Sequence, residues 1–104
     1  MSGEERRQAP RAMVPLDGEW LTSLGRRVGR IADISMGGCF VESIAMPSVG
    51  EEVSIKVALP GAQILDVLGE VAYTLNGFGF GVQFFALTPE QHELLGEAMR
   101  GLLG

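Results

Sequence analysis

Three consecutive segments in the second half of the chain constrain the fold most. Val53, Ile55, Val57 and Leu59 alternate with Ser54, Lys56 and Ala58, the period of two that marks a strand with one buried face. Pro60-Gly61 ends this run as a turn, and residues 63–74 read as a second strand. Its Leu65, Val67, Val71 and Tyr73 fall on one face, with Asp66 and Glu70 on the other. Asn76-Gly77 is a hairpin signal, and Phe80, Val82 and Phe84 alternate after it as the inner face of a third strand. Short turns force these strands to pair antiparallel.

The first half adds shorter pieces. Residues 1–12 are polar, carry Pro10 and show no hydrophobic period, so they read as a flexible arm, with the folded domain over 13–104. Residues 13–20 suggest a first strand interrupted by Pro15 and Gly18, followed by an arginine-bearing turn over 21–29. A strand over 28–34 breaks at Ser35-Met36-Gly37-Gly38 and resumes over 39–44. At the other end, Thr88-Pro89-Glu90-Gln91 is a helix start, with a capping hydroxyl, proline in the first turn and a capping-box glutamine. Leu94, Leu95, Ala98, Met99, Leu102 and Leu103 then recur at helical spacing, predicting a helix over about 89–103 whose apolar stripe packs on the barrel mouth, with protein–protein contact as the alternative. Fifteen glycines in 104 residues, about twice the usual share of roughly 7%, suit a turn-rich β domain. Four to six short antiparallel strands and one helix are best accommodated by a small closed or nearly closed barrel, because closure removes exposed edges. Cys39 and Phe78, Phe80, Phe84 and Phe85 are candidate core residues. Trp20 fits either a barrel lid or a partner contact, and His92 sits on the polar side of the helix.

The formal net charge of −5 conceals an asymmetry. Residues 1–30 hold six arginines (Arg6, Arg7, Arg11, Arg26, Arg27, Arg30) against four acids, a sum of +2; residues 31–104 hold two cations against nine acids, a sum of −7. An acidic body disfavours sequence-independent nucleic-acid binding, and no aromatics interleave with the basic residues as a single-strand platform requires. A small anion gripped by a local arginine cluster remains compatible. One cysteine excludes an internal disulfide, and neither it nor the lone histidine has a zinc spacing. No apolar run approaches the roughly 20 residues of a membrane span, and the start of the chain lacks the apolar core of a signal peptide. The cytoplasm is the expected compartment. No nucleophile–base pair or carboxylate pair is apparent, so the chain reads as a non-enzyme without a cofactor.

Two clusters carry the remaining chemistry. Arg7 and Arg11 stand four residues apart in a segment that Pro10 keeps out of a helix. Asp33 and Ser35 occupy alternate positions at a strand end, hence one face, and Gly37 and Gly38 let the chain turn and bring backbone N–H groups to a ligand. Arginine grips phosphate oxygens bidentately and pairs with the O6/N7 edge of guanine; a carboxylate accepts from the N1–H and N2–H of guanine's other edge. Both together equip a site for a guanine nucleotide.

The spacing RxxxR (Arg7, Arg11), 21 residues, then DxSxxG (Asp33, Ser35, Gly38) resembles the signature of the PilZ domain, the bacterial receptor for cyclic di-GMP. ADISMGGCFVES, VALPG and GFGVQFFALTPEQHELL extend the resemblance over nearly the whole chain. It implies a six-stranded antiparallel β-barrel with a C-terminal helix. It also implies that Arg7 and Arg11 come from a mobile arm to grip phosphate and guanine, that Asp33 and Ser35 face a guanine, and that Gly38 keeps the approach open. A basic residue at Arg6, just before the motif, implies uptake of the ligand as a stacked, intercalated dimer. Arg26, Arg27 and Arg30 have no role in the motif, although they can raise the local potential. The expected function is a cyclic di-GMP receptor whose arm orders on binding and alters the engagement of a downstream protein partner. The alternative is an adaptor of the same fold that binds no nucleotide.

Overall fold

The computed structural model describes residues 10–104. Six antiparallel strands, β1 (Leu16–Thr22), β2 (Gly25–Ile34), β3 (Gly38–Glu42), β4 (Glu52–Leu59), β5 (Gln63–Leu75) and β6 (Gly79–Phe85), precede one helix, α1 (Pro89–Leu103). The strands close into a barrel in the order β1-β2-β3-β6-β5-β4, so no strand is left with an unpaired edge. This is the architecture that the periodicity and the resemblance imply.

The inner face is built from the alternating residues. Val53, Ile55, Val57 and Leu59 of β4 and Leu65, Val67 and Val71 of β5 are all buried. Trp20 lies inside as well, 4% exposed, with its ring edge-on to Phe80 at 6.5 Å between centroids. It is therefore core, not a partner contact. Burying each of these large side chains contributes roughly 1.5–3 kcal/mol.

Thr88 and Gln91 complete a reciprocal capping box at the start of α1, which is worth about 1 kcal/mol at the cap. The Gln91 amide also donates to the Asp66 carbonyl, tying the helix start to β5. Leu95 and Met99 are buried in the barrel core, with Leu94, Ala98 and Leu102 packed beside them.

Several local expectations change. β2 begins at Gly25, so Arg26 and Arg27 belong to a strand paired with Leu21 and Trp20, and the turn shrinks to Ser23-Leu24. β1 starts at Leu16, and β3 ends at Glu42, leaving Ile44 89% exposed. Phe80 and Phe84 are core, but Phe85 alternates outward and Phe78 stands at the β5–β6 turn, 73% exposed. Tyr73, expected beside Val71 on the inner face, is outside. The reason is a bulge: Val71 pairs with Val82 but Tyr73 pairs with Gly81, so the extra residue Ala72 inverts the facing of everything after it.

Candidate functional site

A second bulge, on β2, builds the other side of the same region. Ile31 pairs with Val41 and Asp33 pairs with Phe40, so Ala32 is the extra residue. Strict alternation from buried Ile31 would have pointed Asp33 into the core. The bulge turns Asp33 outward and restores Ile34 to the interior, where it is fully buried. The two register shifts leave one row of four residues across the outer face: Asp33, Phe40, Gly81 and Tyr73, from β2, β3, β6 and β5.

Ala12 carries the preceding chain into this site. Its N–H donates to the Ile34 carbonyl at 2.8 Å and its carbonyl accepts from the Ile34 N–H at 3.1 Å. The side chain of Ala12 is buried, so the last residue of the expected arm is anchored on β2. Arg11 is thereby set beside Asp33, and its guanidinium forms an ion pair with the Asp33 carboxylate. The Asp33 side chain is 13% exposed and that of Arg11 46%. Arg6 and Arg7 lie outside the described residues.

Ser35 is buried and works within its own turn. Its N–H donates to the Gly38 carbonyl at 2.8 Å, and its hydroxyl accepts from the Gly37 N–H at 3.2 Å. The hydroxyl also donates to the Gly38 carbonyl at 3.4 Å. The two glycines differ sharply. A Cβ at Gly38 would stand 2.1 Å from the Val82 carbonyl oxygen, whereas one at Gly37 would meet nothing within 4 Å. Gly38 thus serves the close packing of β3 on β6 rather than an open approach from solvent. The open space is at Gly37.

These elements surround a cleft of about 710 Å³ bordered by Arg11, Ser35, Gly37, Tyr73, Gly81 and Gln83, a volume within the roughly 300–1,000 Å³ of small-molecule sites. Cys39 lies beneath it. Burial pushes its thiol far above the ordinary value, the Asp33 charge adds to the rise, and Arg11 opposes it. A larger concavity of about 1210 Å³ lies elsewhere on the barrel, lined by Asp17, Glu19, Val28, Arg30, Lys56 and Asp66 among others. It mixes opposite charges on an open face and includes none of the motif residues, so its size does not make it the better ligand site. Arg30 belongs to it, and Arg26 pairs with Glu19 at 2.6 Å, which draws both away from the motif cleft.

The sequence profile of the PilZ domain matches residues 5–101. The chain belongs to the PilZ domain family. Solved structures agree in fold. The Bacillus subtilis inhibitor of motility (MotI/DgrA) superposes with a TM-score of 0.75 at 19% identity, over 94% of this chain and 52% of that one. The PilZ domain of CeSA from a cellulose-synthesizing bacterium gives 0.69 at 22% identity, over 91% and 99%. YcgR from Escherichia coli, solved in complex with c-di-GMP, gives 0.79 at 16% identity, over 94% and 46%. This PilZ domain therefore spans about half the length of MotI/DgrA and of YcgR. No curated protein sequence matches the chain. Among the described residues, no helix is long and apolar enough to cross a membrane.

Of the residues singled out in the sequence, Arg11, Asp33, Ser35, Gly37 and Gly38 come together. Tyr73, Gly81 and Gln83 join them without any sequence signal short of the two register shifts, and strict alternation assigned Tyr73 to the opposite face.

Proposed function

We propose that this PilZ domain is a receptor for cyclic di-GMP, bound in the cleft between Arg11 and Tyr73, and that it acts by ligand binding rather than by catalysis. The observation that carries this reading is the placement of Arg11 against Asp33 at the rim of that cleft by the Ala12–Ile34 bridge. The c-di-GMP complex of the similarly folded YcgR supports the choice of ligand.

Arg11 and Asp33 satisfy each other without ligand, and with the Asp33 side chain only 13% exposed its carboxylate needs a replacement partner when Arg11 leaves. Guanine supplies that replacement. Asp33 then accepts from the N1–H and N2–H of guanine, while Arg11 turns to phosphate or to the O6/N7 edge. Arg7 and Arg6 supply further cations from the preceding segment, and Arg6 favours a stacked pair of ligands. Ser35 holds the turn that presents the Gly37 N–H, and Gly37 leaves room above it. Ordering of the arm on binding changes the surface offered to a downstream protein in the cytoplasm, its entropy cost offset by charge-assisted bonds.

Isothermal titration with cyclic di-GMP tests this. Micromolar or tighter binding is expected, abolished by Arg7→Ala or Arg11→Ala. Asp33→Ala should weaken it by about 1.5–3 kcal/mol, the worth of a hydrogen bond to a charged group. A ratio near two ligands per protomer supports the role given to Arg6. Absence of both heat and thermal shift at high micromolar ligand would refute the assignment and leave the nucleotide-independent adaptor.

A further inference from the structure

Tyr73 is exposed in the candidate cleft, although strict alternation would place it on the inner face. The extra residue at Ala72 sets it outside, on the row that begins with Asp33. The next residue on that row, Gly81, has no side chain, and the Tyr73 ring occupies the vacant place: a Cβ on Gly81 would fall 2.3 Å from its Cε2 atom. Lying over β6, the ring stacks against Phe40 of β3 at 6.2 Å between centroids and 26° between planes. Even so, Tyr73 remains 42% exposed, and it borders the cleft opposite Arg11.

This geometry has the properties of a stacking platform. The ring is fixed from below by a glycine and from the side by a second aromatic, so little freedom remains to be lost when a flat ligand settles on it. Among the described residues nothing hydrogen-bonds the Tyr73 hydroxyl, so no polar contact accounts for its orientation. Two inter-strand steps, roughly 10 Å, separate β6 from β2. One flat ligand of dinucleotide size can therefore meet both the Asp33 carboxylate and the Tyr73 face.

We propose that Tyr73, held by Phe40 and Gly81, stacks on a guanine base of the bound dinucleotide and thereby sets the affinity of the site. The inference rests on the cyclic di-GMP reading above and deepens it: the charged residues supply edge and phosphate recognition, and Tyr73 supplies the contact to a base face. Stacking of this kind tolerates any base, so Tyr73 contributes affinity while Asp33 and Arg11 contribute the choice of guanine.

The test compares the wild-type domain with Tyr73→Phe, Tyr73→Leu and Gly81→Ala by calorimetry with cyclic di-GMP, alongside proton NMR of the bound ligand. Tyr73→Phe should bind within about threefold of wild type. Tyr73→Leu, which keeps apolar cover on Phe40 but has no aromatic face, should bind about tenfold to a hundredfold more weakly. Gly81→Ala should weaken binding similarly, because the added methyl group displaces the ring without removing it. The guanine H8 resonance should move upfield on binding wild type and Tyr73→Phe, and this ring-current shift should vanish with Tyr73→Leu. Wild-type affinity or an unchanged H8 shift in Tyr73→Leu would overturn the stacking role, while the receptor reading stands on the wild-type titration and its loss in Arg11→Ala. A wild-type domain that binds no cyclic di-GMP would overturn both.

Discussion

Replacing Gly38 with alanine puts a methyl carbon 2.1 Å from the Val82 carbonyl oxygen. That is more than 1 Å inside the roughly 3.3 Å at which carbon and carbonyl oxygen normally meet. The obstacle is backbone, and it belongs to β6, whose pairing with β3 runs from Gly38–Gln83 to Glu42–Gly79. Relief requires the strands to part at the Gly38 end. Overpacking of this severity costs roughly 1–3 kcal/mol. Parting also weakens the bond from the Ser35 N–H to the Gly38 carbonyl, now 2.8 Å, worth about 1 kcal/mol. The expected loss is about 2–4 kcal/mol, which for a domain of this size lowers Tm by roughly 10–25 °C. Gly37→Ala is the matched control. Nothing lies within 4 Å of its added carbon, so stability should change by less than about 0.5 kcal/mol. Its methyl group would instead project into the cleft and weaken cyclic di-GMP binding. Thermal denaturation followed by circular dichroism, with calorimetric titration of the folded variants, separates the two roles. A Gly38→Ala domain melting within 2–3 °C of wild type (about half a kcal/mol) would refute the assignment of this motif glycine to strand packing.

Two further outcomes follow from buried and paired groups. The raised Cys39 thiol, 2% exposed under the cleft, should resist alkylation at pH 8 in the native state and react at a rate that rises with urea as the barrel opens; rapid labelling independent of denaturant would contradict this. The Glu51 carboxylate is held below its ordinary range first by its hydrogen bond with the Ser23 side chain, then by the N–H groups of Ser23 and Ser48. Its contribution is therefore fully present above the unfolded value of about 4.3 and lost as pH falls through the lower folded value, so the Tm of Glu51→Gln should fall less steeply than wild type below about pH 4.5. Parallel profiles for the two proteins would count against it.

The barrel was legible because its signals are local. Alternation in β4 and β5, the Asn76-Gly77 turn and the Thr88–Gln91 box each lie within a few residues, and each describes one element without reference to another. Two residues mark where this ends. Asp33 and Tyr73 both fall two positions after a buried aliphatic, Ile31 and Val71, and alternation assigns both to the core. Chemistry argued correctly for Asp33, since a carboxylate resists burial without a partner; a tyrosine gives no such warning, because it is at home on either face.

The sequence by itself determined the strand-rich class, the closing helix and its cap, and the presence of arginine and carboxylate groups at the spacing from which the proposed site is argued. Only the tertiary structure decided which side of the sheet Tyr73 occupies, which motif glycine serves strand packing and which leaves space, and that Ala12 fastens Arg11 beside Asp33. The physical reason is register. Whether a strand carries one extra residue depends on what its neighbour places opposite, a relation between segments about 10 residues apart in β5–β6 and further apart across the Ala12–Ile34 bridge.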